Sequence, residues 1–120
     1  MNSNQLKPTK KTNPLFSDFS DDDSMGKIIQ IFLNEIPKRI ELIETSFHSG
    51  NKEQLCKIIH QLKGAGGGYG FKLITSNAMA FEKKIKQAED NWQQATTKAL
   101  EEFVDILHRA YAGRAVSGDT

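Results

Sequence analysis

The sequence predicts an all-α domain, an antiparallel up-and-down four-helix bundle preceded by a flexible or loosely docked tail. Three observations predict it. Apolar residues recur at steps of three and four along four successive stretches, and short polar or glycine-bearing breaks separate them. No window alternates apolar and polar residues in the manner of a strand, and the chain holds only two valines. Amphipathic helices joined by short connections bury their stripes by packing as antiparallel neighbours. The 120 residues, 38% hydrophobic and 26% charged, suffice for one core and leave no room for a second catalytic domain.

Taken in order, residues 1–20 form a polar tail punctuated by Pro8 and Pro14, residues 21–112 the bundle, and residues 113–120 a second tail. Within the first tail Leu15, Phe16 and Phe19 are apolar, and such a group just ahead of a helix folds back as a staple or lid. The first helix is expected to begin between Ser20 and Ser24, with Ser20 as N-cap and Asp23 at the positive end of the helix dipole. Ile29, Phe32, Leu33, Ile36, Ile40, Ile43 and Phe47 make its stripe. Pro37 interrupts that stripe and should kink the helix or split it in two, and Ser49 and Gly50 end it. Asn51, with Gln54 at the reciprocal position, caps a second helix whose apolar side is Leu55, Ile58, Ile59, Leu62, Ala65 and Tyr69. A third helix spans about 72–88 on Ile74, Ala78, Phe81, Ile85 and Ala88. Asp90 or Asn91 caps a fourth, built on Trp92, Ala99, Phe103, Ile106, Leu107 and Ala110 and stopped by Gly113. Trp92 and Tyr111 are expected to cover the bundle ends.

Charge and cysteine usage exclude several functions. Lys plus Arg number 16 against 15 Asp plus Glu, a formal net charge of +1, which provides no footprint for nucleic acid. The single cysteine cannot form an intramolecular disulfide, and no run approaches the roughly 18 apolar residues of a membrane span. Met1 to Lys11 lead into no apolar segment of a secretory signal, so the expected location is the cytoplasm.

Five of the nine glycines fall between Gly64 and Gly70, just after His60. Each glycine inside a helix costs about 1 kcal/mol relative to alanine, so a cluster of them requires a reason. At about 100° per residue the apolar residues of this helix lie opposite His60, and the imidazole points to water. Gly64 and Gly67 flank it one and two turns along, while Cys56, Lys57 and Lys63 border it within roughly 60°. Glycines on the exposed side serve an external body and so imply a partner. The two lysines favour a neutral ring and attract a phosphoryl oxygen, and a neutral imidazole is nucleophilic.

The segment His60-Gln61-Leu62-Lys63-Gly64, followed by small residues and Gly70, resembles the histidine-containing phosphotransfer (HPt) domains of bacterial multi-step phosphorelays. Phe81-Glu82 stands where that family usually places Leu-Glu, Pro37 matches a proline of the preceding helix, and the resemblance covers about residues 28–111. The resemblance implies that His60 accepts a phosphoryl group from a receiver-domain aspartate and passes it to another receiver. Lys63 would contact the phosphoryl oxygens, Gly64 would let the receiver loops close over the ring, and Gly67 and Gly68 would extend the floor. The expected docking face is Cys56, Lys57, Gln61, Lys63, Gly64, Gly67, Gly68 and Phe71. Two positions depart from the family: Ile59 replaces a common Ala, and Gly68 replaces a polar residue that often bonds the histidine ring, which leaves open what orients His60.

No Walker A pattern or kinase motif set is present, so the chain is expected to be an intermediary without ATP-dependent kinase activity, and Mg²⁺ is expected in the partner receiver. The partners would be receiver domains of hybrid histidine kinases and response regulators, met by a monomer, with no nucleic acid or membrane involved. The rival reading is an interaction module that inhibits a receiver or kinase through the same face without carrying phosphate. A weaker rival is a metal or redox site on Cys56 and His60, spaced i, i+4, against which the adjacent lysines and the lack of a third ligand argue. The glycine run fails the G-x-G-x-x-G spacing and follows no strand, which excludes a dinucleotide loop. His48 and His108 read as structural or solvated, and Lys83-Lys84 and Glu101-Glu102 as solvated faces.

Overall fold

The computed structural model describes residues 13–20 and 22–114. Their regular structure is entirely helical: α1 (Asp23–Asn34), α2 (Ile36–His48), α3 (Lys52–Gly68), α4 (Lys72–Gln87), α5 (Trp92–Ala95) and α6 (Thr97–Ala112). The four long helices α2, α3, α4 and α6 close into a ring in which each packs on two others, with α3 against α4 the tightest pair. That is the expected four-helix bundle.

The two extra helices have local causes. α1 and α2 are the halves of the first predicted stretch, divided at Glu35, and Pro37 falls in the first turn of α2. A proline there loses nothing, because its missing N–H would have had no intrahelical partner. α5 and α6 divide the last stretch at the buried Thr96, whose hydroxyl donates to the Trp92 carbonyl at 2.7 Å.

The caps follow the sequence with two corrections, at Ser20 and at the last stretch, where Asn91 stands at the N-cap position but its side chain makes no cap hydrogen bond. Asn51 Oδ1 accepts from Gln54 N–H at 3.1 Å, and its amide donates to Gln54 Oε1 at 3.0 Å. The first helix is capped by Asp22 instead of Ser20: Asp22 Oδ1 accepts from the Ser24 N–H at 2.9 Å. Ser20 sits two residues too early, within a turn where its N–H bonds the Ser17 carbonyl.

The core lies where the stripes meet. Ile36, Ile40 and Ile43 from α2, Leu55, Ile59 and Leu62 from α3, Ile74, Phe81 and Ile85 from α4, and Phe103 and Leu107 from α6 are fully buried. Each such side chain stabilises the fold by about 1.5–3 kcal/mol relative to exposure. Trp92 closes one end, edge-on to Phe47 with ring centroids 5.5 Å apart. Tyr111 is half-buried at the other, under the Arg114 guanidinium at 3.8 Å. His48 is exposed and edge-on to Phe47, whereas His108 is buried in α6.

The tail is docked over its described part. Residues 13–20 cross the end of the bundle as a strap: the Leu15 N–H donates to the Arg109 carbonyl at 2.9 Å, and the Asp18 N–H to the Gly70 carbonyl at 2.8 Å. Leu15 packs against the core, while Phe16 stays largely exposed. The rest of both tails, 1–12 and 115–120, lies outside the described residues. Among the described residues no helix is long and apolar enough to cross a membrane.

Candidate functional site

α3 carries His60, and its glycines serve three different geometrical ends. At Gly66 a Cβ would lie 2.8 Å from Thr75 Oγ1 and 3.0 Å from the Ile74 side chain, so this glycine lets α4 approach closely. Thr75 uses that proximity to donate to the Lys63 carbonyl at 2.7 Å. Gly70, with φ at +85°, ends the helix in a left-handed conformation. The Phe71 N–H then reaches the Gly66 carbonyl at 2.7 Å and the Gly70 N–H the Gly67 carbonyl at 3.4 Å, the two bonds of a Schellman closure. Gly64 and Gly68 are the third kind. A Cβ at either would meet nothing within 4 Å, and at Gly67 only an ordinary contact with Thr75 at 3.6 Å. Their bareness answers to nothing inside the protein.

The close approach of α4 brings Glu82 to the base of this surface. The His60 side chain is 69% exposed, and its Nδ1 lies 3.7 Å from Glu82 Oε2, whereas the Glu82 side chain is only 11% exposed. Lys63 Nζ donates to Glu82 Oε1 at 3.1 Å, and Lys86 Nζ stands 3.4 Å from Oε2. Burial pushes the Glu82 carboxyl up, but the bonds and charges of Lys63 and Lys86 outweigh it and hold the group below the ordinary glutamate range. Glu82 is therefore an anion at neutral pH. A carboxylate facing Nδ1 favours the tautomer protonated there, which leaves the Nε2 lone pair free.

Of the residues expected on the docking face, Lys57, Gln61, Gly64, Gly67 and Gly68 are exposed and Lys63 is half-buried over Glu82. Cys56 is half-buried, and burial pushes its thiol above the usual range. Phe71 is a correction. It is 3% exposed, facing the Phe32 ring at 6.1 Å, because the chain turns inward after Gly70 to start α4. No partner reaches it. Among the described residues no three His, Cys, Asp or Glu side chains gather as a metal site requires.

Sequence reasoning placed Glu82 in a motif without giving it a role, and it passed over Gly66, Thr75 and Lys86. One signal was available for Glu82: it adjoins Ala78 and Ile85 on the helix wheel, and a carboxylate at the edge of an apolar stripe needs cationic partners.

The bundle thus holds the His60 imidazole out to solvent over a buried carboxylate, with bare turns beside it. The family model for the Hpt domain matches residues 27–111, and the chain belongs to that family. No curated protein and no solved structure matches it significantly. Membership implies a histidine-containing phosphotransfer role in a phosphorelay; Hpt domains are phosphotransfer intermediates, not kinases, and interact with receiver domains.

Proposed function

We propose that His60 accepts a phosphoryl group from the aspartyl phosphate of one receiver domain and delivers it to the aspartate of another. The observation that carries this reading is the exposed imidazole with a carboxylate behind its Nδ1. In the first transfer the Nε2 lone pair attacks phosphorus in line, the bond from phosphorus to the aspartyl oxygen breaks, and the electron pair leaves on the receiver carboxylate. Nδ1 keeps its proton, and Glu82 stabilises the positive charge that the ring acquires. The second transfer is the reverse, onto a new aspartate.

Lys63 supplies the cation. Its ammonium is tied to Glu82 in the free chain, and an incoming phosphoryl group, carrying more negative charge, competes for it. Lys86 keeps Glu82 paired while Lys63 turns outward. We assign Mg²⁺ to the acidic pocket of the receiver, where it neutralises charge on the transferring group. Gly64, Gly67 and Gly68, with Lys57, Gln61 and Cys56 around them, form the surface on which the receiver loops close.

Incubation with a labelled phospho-receiver tests the reading. The wild-type chain takes up acid-labile phosphate, and His60→Gln stays folded and takes up none. Label on His60→Gln would refute the site. A wild-type chain that binds phospho-receiver without becoming labelled would show an inhibitory interaction module instead.

A further inference from the structure

A docking surface made of bare glycines poses a stability problem to the helix that carries it. Gly64, Gly66, Gly67 and Gly68 crowd the last turns of α3, and each weakens the helix through the backbone freedom it loses on folding. Side chains on the exposed face would stabilise these turns, but they would also fill the space a partner needs. Support that leaves the face bare has to come from the buried side, where α4 packs and Thr75 bonds the Lys63 carbonyl, and from the end of the helix.

The strap meets that end. The Schellman closure satisfies the carbonyls of Gly66 and Gly67, and the strap supplies donors to the next pair that bonds: Ser17 Oγ donates to the Tyr69 carbonyl at 2.6 Å, and the Asp18 N–H to the Gly70 carbonyl at 2.8 Å. The same Ser17 hydroxyl accepts the Phe19 N–H at 2.9 Å, so one buried oxygen fixes both the helix end and the turn of the strap. The seat is shaped for it. A Cβ on Gly70 would press on Ser17 Oγ, Asp18 N and the Phe19 ring, and a Cβ on Gly113 would run into the Leu15 carbonyl. Beyond Ser17, Arg109 Nε donates to the Asn13 carbonyl at 2.9 Å, and Lys72 Nζ stands 3.7 Å from Asp18, so the strap is anchored on α6 and α4 as well.

We propose that Ser17 is a positioning residue for receiver docking: acting from the strap, it caps the glycine-rich end of α3 and holds Gly64 to Gly68 helical while leaving them uncovered. The docking half of this statement rests on the function proposed above. The cap itself does not. Glycine at 70 and at 113 then has a common purpose, to admit a segment from the far end of the chain.

The test uses two full-length variants that disturb the strap from opposite ends. Ser17→Ala removes the hydroxyl, and Gly113→Ala leaves α3 untouched while displacing the strap at Leu15. In both, amide exchange over residues 64–70 should quicken at least tenfold, while the α6 amides ahead of Arg109, beyond the turn that Gly113 and the strap share, keep wild-type protection. The phospho-receiver concentration for half-maximal transfer should rise several-fold, with the saturating rate near wild type. Unchanged exchange at 64–70, equal acceleration in α6 ahead of Arg109, or a fall in the saturating rate at constant half-saturation would each overturn the proposal. If the wild-type chain takes no phosphate from any receiver, the function fails, and the exchange comparison still decides the cap.

Discussion

Replacing Gly64 separates what stabilises α3 from what the helix is for. An added Cβ there meets nothing within 4 Å, so Gly64→Ala carries no steric cost and gains the helix preference of alanine, about 0.5–1 kcal/mol. For a domain of this size that raises Tm by roughly 2–6 °C. Gly66→Ala has the same gain in preference, but its Cβ falls 2.8 Å from Thr75 Oγ1 and 3.0 Å from Ile74 Cβ. Forcing those contacts costs about 1–3 kcal/mol, so the steric effect wins and the variant loses stability. Thermal and urea unfolding followed by circular dichroism should therefore move in opposite directions for two glycines only two residues apart in the same turn. Phosphotransfer should break the correlation. Gly64→Leu, which keeps the helix gain, should lose at least tenfold in receiver affinity despite its stability. A Gly64→Leu chain that docks as well as wild type would refute the argument that this glycine is kept bare for a partner, and a destabilised Gly64→Ala would refute the geometry beneath it.

Two further outcomes follow from the charges around His60. Glu82→Gln should cost about 0.5–2 kcal/mol at neutral pH, a figure kept modest because Lys86 is well exposed. Because the Glu82 carboxyl is held below the ordinary glutamate range, its contribution is complete above that range and fades as pH falls through the lowered value; wild type and Glu82→Gln should converge in acid, and a constant gap in denaturation midpoint down to about pH 2 would contradict the pairing. Cys56, whose thiol burial pushes up, should be alkylated by iodoacetamide at neutral pH several-fold more slowly than a free cysteine, as mass spectrometry would record, and rapid labelling would revive the redox reading.

Much of this architecture could be read from local pattern. The stripes from Ile29 to Phe47 and from Ile74 to Ile85 announce helices because periodicity is written into a few adjacent turns, and Asn51 with Gln54 announces a start for the same reason. Pro37 announced a break whose form, two helices meeting at Glu35, depended on how the following turn could use a missing donor. Ser20 was misjudged as a cap because several acceptors compete within a few residues there, and the choice among them is made by the strap's own turn. Phe71 lies in the core and not on the docking face because the left-handed residue at Gly70 redirects the chain inward, which one helix's periodicity does not encode.

The order of residues by itself determined an outward imidazole followed by turns without side chains, because both depend only on the pitch of one helix. Which group stands behind that imidazole was decided by the tertiary structure alone. Glu82 reaches His60, and Ser17 reaches the end of α3, only once two helices have settled in register and the chain end has crossed the bundle. That register is set by the space left at Gly66, and the crossing by the space left at Gly70 and Gly113. An absent side chain acquires meaning only from the atoms that come to occupy its place.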